Sequence, residues 1–183
     1  MRYYKVNDDV NIADRWYLAE VTTDRGIEPR LNEGIRCTFD GAMIATVHKP
    51  GTELEFCLTS FAVPVVRSSL AAAIQGLATQ DVERLPVSIP GHVDFEVLNC
   101  LRVIRCLDEE RSSFMKWTIS DHRSDLAGQY RMVTKLHILG SVIPSSHHIF
   151  RIEGWSIALI VSESMKNTME AAGCFGAKFI EVT

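Results

Sequence analysis

The pattern of apolar and polar positions reads as strand over most of the chain and as helix in two places. Residues 2–6 and 15–21 are short aromatic-rich runs, with Asn7, Asp8 and Asp9 supplying turn chemistry between them. Residues 22–34 read as a loop. Strand signals return at 35–39 and 42–47, parted by the hairpin dipeptide Asp40-Gly41, and again at 54–58 after Pro50-Gly51. Residues 61–66 form a short buried run whose Pro64 points to an edge or terminal position. Leu70, Ile74 and Leu77 then recur at spacings of four and three, which predicts a helix capped by Ser68 or Ser69.

A strand over 82–89 closes at Pro90-Gly91. Residues 93–107 are the longest apolar stretch and favour one long central strand, ended by the acidic turn Asp108-Glu109-Glu110. Residues 108–128 are polar and read as irregular, with one helical turn near 114–117. Alternation returns at 130–138, and strands are expected at 148–152 and 156–161. Ser162 is placed to cap a second helix carrying Met165, Met169 and Ala172 on one face. Gly173 is its left-handed stop, and 177–182 is a closing strand.

A shift of 95 places lays the second strand–helix–strand stretch over the first without a gap. Val66 falls on Val161, Leu70 on Met165, Ile74 on Met169 and Leu85 on Ile180. The expected architecture is α+β: a mixed, mostly antiparallel sheet with two such units, about 61–88 and 156–183, packed on it as a shared sheet. One domain spanning 1–183 is expected at this length.

Composition narrows the classes. With 46% hydrophobic and 23% charged residues the chain is an ordinary globular one, neither disordered nor collagen-like. Surface scaling predicts roughly 9,000 Å² exposed when folded. Nineteen basic against 23 acidic residues leave a net charge of −4, the wrong sign for a general nucleic-acid binder. The five cysteines, Cys37, Cys57, Cys100, Cys106 and Cys174, include no C-x-x-C pair and read as reduced, buried thiols. No stretch approaches the roughly 18 apolar residues of a membrane span, and the opening residues lack a signal-peptide pattern, so a cytoplasmic protein is expected.

Candidate chemistry is sparse. The adjacent pair His147-His148 would point to opposite faces of a strand and cannot grip one metal ion together. No HExxH, zinc-spaced Cys/His cluster, Gly-rich phosphate loop or G-x-S-x-G motif is present, so no metal or cofactor is expected. One enzymatic alternative stays open: a small hydrolase or transferase using His148 with a carboxylate or Ser162. For a protein partner, the acidic turns Asp108-Glu109-Glu110 and Asp8-Asp9 suit a basic surface. Trp117, in the most polar segment, is the better interface candidate among the tryptophans. Trp16 and Trp155, beside strand residues, fit a core.

An ordered set of short motifs carries a family resemblance. It runs from Tyr3-Tyr4 and Arg15-Trp16 through Phe61-Ala62-Val63-Pro64-Val65-Val66, Leu98-Asn99, Cys106-Leu107-Asp108 and Gly128-Gln129-Tyr130. It closes with His148-Ile149-Phe150-Arg151, Gly154-Trp155, Leu159-Ile160-Val161-Ser162-Glu163 and Phe179-Ile180-Glu181-Val182. This resembles the immunity-protein-eleven family of bacterial polymorphic toxin systems. The resemblance implies a cytoplasmic, non-enzymatic protein that binds and neutralises a cognate toxin, a basic nuclease being one fitting partner. It implies no catalytic residues. Asp108, Glu109, Glu110 and Trp117, with Asp8 and Asp9 second, are the expected toxin contacts.

Overall fold

The first half of the computed structural model holds strands β1 (Tyr3–Asp8), β2 (Tyr17–Thr23), β3 (Met43–Lys49), β4 (Phe56–Leu58) and β5 (Pro64–Arg67), helix α1 (Ser68–Leu77) and β6 (Val82–Ser88). The second holds β7 (Phe95–Cys100), β8 (Val103–Ile104), β9 (Ser113–Lys116), β10 (Tyr130–Lys135), β11 (Ile149–Ile152), β12 (Trp155–Ser162), α2 (Glu163–Ala171) and β13 (Ala177–Glu181). All residues are described except Glu28, Phe39 and Asp40. The fold is α+β, but the strands do not share one sheet. They form a six-stranded sheet ordered β2-β3-β6-β7-β5-β4, a five-stranded sheet ordered β13-β1-β12-β11-β8, and a separate β9–β10 ribbon. Pairing is antiparallel except between β3 and β6 and between β8 and β11.

Several expectations change. The apolar stretch 93–107 is two strands in different sheets: β7 pairs with β5 and β6, whereas β8 pairs with β11. The register with β6 runs on to Leu101, whose N–H donates to the Asp81 carbonyl at 2.7 Å, and the chain then joins β11 from Val103. Residues 113–116 are strand β9, held by β10, rather than a helical turn. Residues 35–38 form no strand; side chains grip them instead, Asn99 at the Ile35 carbonyl and Glu83 at the Cys37 N–H. Phe39 and Asp40, the expected strand end and hairpin start, lie outside the described residues. Helix α1 begins after Arg67 and has no side-chain cap, whereas Ser162 caps α2 as expected, accepting from the Met165 N–H at 3.2 Å. Pro64 is the first residue of β5, where its missing N–H costs the ladder least.

The two units are repeats in register. In the first, β5 and β6 flank β7, with Val65 and Leu85 both opposite Val97. In the second, β12 and β13 flank β1, with Ile160 and Ile180 both opposite Lys5. Ile160 and Ile180 lie 95 residues after Val65 and Leu85, and Lys5 lies 92 residues before Val97. Each half of the chain therefore places its own leading strand between two strands of the other half's sheet. The hairpin strands β4 and β11 also correspond, at the outer side of β5 and β12. Between β1 and β4 runs an insertion of 47 residues (9–55), and between β7 and β11 one of 48 (101–148).

Burial follows this plan. The central core joins both sheets and both helices: Val66, Leu70, Ile74 and Leu98 meet Val6, Val161, Met165 and Met169. Trp16, Leu18, Met43 and Leu54 of the first insertion pack with Cys57, Val65 and Val97 in a second core. Cys106, Leu107, Ile138 and Ile143 of the second insertion pack with Tyr3, Phe150, Ile152 and Ile160 in a third. Trp16 and Trp155 are core residues. Cys57, Cys100, Cys106 and Cys174 are buried free thiols, and Cys37 is half-buried. The folded surface is 9335 Å², close to the value expected from mass. Among the described residues no helix is long and apolar enough to cross a membrane.

Candidate functional site

The two insertions meet along one surface groove made of three adjoining depressions. The first, about 240 Å³, is lined by Glu20, Arg30, Asn32, Glu33, Thr59 and Phe61 among others. The second, about 230 Å³, shares Asn32 and Glu33 with it and adds Val103, Gln129, Gly154 and Ser156. The third, about 480 Å³, shares Gln129 and Gly154 and ends at Arg105, Glu109, Lys116 and Tyr130. Close packing joins the insertions under the groove. Gly34 adopts φ +76°, and a Cβ there would stand 2.7 Å from the Val103 side chain. Only glycine meets both conditions without strain.

At the first end, Phe61 is 54% exposed rather than part of a buried run. It rides on a tight turn in which Ala62 takes φ 57° and its N–H donates to the Thr59 carbonyl at 2.8 Å. The Phe61 carbonyl accepts from Asn32 Nδ2 at 2.9 Å and the Ala62 carbonyl from Arg151 Nη2 at 2.8 Å. At the other end, Glu109 accepts from Lys116 Nζ and from the Tyr130 hydroxyl, both at 2.6 Å. Its lysine and tyrosine partners hold its carboxyl below the usual range. Burial first, then the bond to Glu109, push the Tyr130 phenol up. Trp117 adjoins this end through mutual backbone bonds with Gln129 and Gly128. Its ring is half-buried, meets His122 edge-on at 5.3 Å and lies under Arg131 at 4.8 Å.

The expected contact residues thus separate. Glu109, Glu110 and Trp117 are exposed or half-exposed beside one end of the groove. Asp108 is 7% exposed, and its Oδ1 accepts the backbone N–H groups of Glu110 and Arg111 at 3.1 and 3.2 Å, so its carboxylate fastens the turn. Asp8 ends β1 and Asp9 follows it, and neither lines the groove. Asp8 pairs with buried Arg15 at 2.9 Å and accepts the Leu58 N–H, and Asp9 Oδ1 accepts from Asn11. Glu20, Asn32 and Phe61, which line the first depression, are not among the expected contacts. The only signal for Phe61 was a large aromatic three residues before Pro64, which reads equally as core.

The histidines form a different cluster. Asp81, 2% exposed, bonds Arg102 Nε at 3.0 Å, His147 Nδ1 at 2.9 Å and the His148 backbone N–H at 3.1 Å. His148 Nδ1 in turn bonds Ser162 Oγ at 2.9 Å. Histidine and serine are in reach, yet the hydroxyl is fully buried and already capping α2, and the carboxylate orients His147 rather than the ring of His148. A nucleophile must reach its substrate, and this one is sealed in the core. Among the described residues no three His, Cys, Asp or Glu side chains form a metal-holding group.

Residues 88–183, more than half the chain, match the family model described as Immunity protein family (Imm11), and the chain belongs to that family. The matched stretch begins on the last residue of β6 and covers β7 to β13, the whole of the second repeat. No curated protein matches the chain.

Proposed function

We propose that this chain is a non-enzymatic immunity protein that binds and neutralises a cognate bacterial toxin by protein–protein contact in the cytoplasm of the producing cell. Membership of the immunity family carries the reading. The groove between the insertions supports it, because its rim presents Phe61, 54% exposed, and the Glu109–Trp117 end. Inhibitor–enzyme contacts bury about 800 Å² per partner and concentrate their energy in a few anchors, aromatic ones above all. Phe61 and Trp117 are the anchors, and Glu109 and Glu110 meet basic groups of the toxin.

The test is to co-purify the chain with the product of the adjacent gene and titrate one against the other by calorimetry while toxin activity is followed. Saturation at 1:1 with stoichiometric loss of toxin activity is expected. Phe61→Ala should weaken binding at least tenfold, and charge reversal at Glu109 and Glu110 should slow association in a salt-sensitive way. Toxin that stays fully active beside excess chain overturns the proposal.

A further inference from the structure

The first depression of the groove differs from the other two in the polar atoms it offers. Glu20, on β2, is half-buried and pairs with no cation among the described residues. Asn32 is 7% exposed; its Nδ2 is spent on the Phe61 carbonyl, and its buried Oδ1 has no hydrogen-bond partner among the described residues. Buried acceptors are nearly always satisfied in native proteins, and Asn32 lines the depression, so its unpaired oxygen marks a place beside it where a donor is missing. Arg30, the one cation of the lining, does not fill this role. Its side chain is 74% exposed and held by Glu33.

We infer that this depression is the receptor for one cationic side chain, a guanidinium or an ammonium, presented by the protein partner. The identity of the partner rests on the immunity reading; the chemistry of the pocket does not. An arriving cation brings several N–H donors and no acceptor, which matches one free carboxylate and one orphan carbonyl oxygen. Phe61 lines the same depression and adds an aromatic ring to its wall, a group that attracts cations. An apolar side chain would desolvate Glu20 and leave Asn32 Oδ1 unpaired, and an anion would be repelled. The wider field has the same sign. The first insertion carries nine acidic and five basic residues, whereas the second carries five acidic and seven basic. A basic group is therefore steered towards the Glu20 end of the groove.

The probe is Nα-acetyl-arginine amide, titrated into the ¹⁵N-labelled full chain and followed by two-dimensional NMR, with Nα-acetyl-leucine amide as control. Saturable shifts are expected at the Asn32 side-chain amide and the Val63 backbone N–H, with none from the leucine compound. Glu20→Gln should weaken the arginine response at least tenfold and Glu20→Lys abolish it, both with an unchanged melting temperature. Shifts that do not saturate, or that persist in Glu20→Lys, overturn the inference. Toxin titrations separate it from the reading above. Wild-type binding to toxin with undiminished affinity in Glu20→Lys sinks the pocket and spares immunity. A saturable arginine response without any toxin binding does the reverse.

Discussion

Arg151 Nη2 donates to the Ala62 carbonyl at 2.8 Å, tying β11 of the second half to the turn that presents Phe61 in the first. The guanidinium is fully buried, has no carboxylate partner among the described residues, and donates its other amino group to Ile157 at 3.2 Å. Burial pushes it down to about 10. A charge in that position is costly, and what it supports is the geometry of one end of the groove.

Arg151→Met should therefore destabilise the chain even though it removes a buried charge. The two backbone carbonyls cannot be deleted with it, and each orphaned acceptor costs about 1–3 kcal/mol. Urea unfolding should show a loss of roughly 2–4 kcal/mol, and hydrogen exchange at Val63 should accelerate more than at core amides of β12. Unchanged stability would mean that the carbonyls find other partners.

Strand exchange between the halves predicts fragment complementation. A cut after Gly91 leaves residues 1–91 without the strand that separates β5 from β6, and 92–183 without the strand that separates β12 from β13. Each fragment alone should be unfolded by circular dichroism. Mixing them should give a folded 1:1 complex. A folded, monomeric 92–183 would contradict the exchange.

Ser162→Ala separates capping from catalysis. Loss of the bond to Met165 should lower stability by about 1 kcal/mol, seen as a reduced melting temperature. Toxin binding should be unaffected, because the hydroxyl is fully buried in the core and closed to a partner. Weakened protection against the toxin without a change in melting temperature would return Ser162 to the list of functional residues.

The buried thiols give an alkaline limit. Burial pushes Cys57 and Cys174 up to about 11 and Cys106 to about 12, from an ordinary value of 9.0. The unfolded chain loses these protons first. The stability they contribute is thus fully present below pH 9 and is lost as pH rises through 11 to 12. Unfolding free energy should fall with pH across that window. A thiol reagent at pH 8 should modify half-buried Cys37 well before the other four.

How much of this was legible follows from the range of each interaction. Helix α2 could be read closely, since Ser162, Met165, Met169 and Gly173 each fall within four residues of the next. The repeat was legible because Val66/Val161 and Leu70/Met165 hold one offset. Glu109, Glu110 and Trp117 could be picked as surface groups from polar surroundings. Asp108 could not be told from them, because its two backbone donors appear only once the turn forms. Residues 93–107 misled for the same reason: an apolar run is equally stable in one sheet or two, and the β11 strand that draws β8 into the second sheet is distant in sequence.

The sequence by itself determined the α+β class, the places of both helices, most strands and the existence of two matching units, since local periodicity and caps depend on near neighbours. Tertiary structure decided the rest: which half receives β1 and which receives β7, and that the loop at 29–34 meets Val103 and Gln129 to make a groove. Those choices are contacts between residues far apart in the chain, where strand edges of equal apolarity compete. Only the assembled packing of all three cores selects among them.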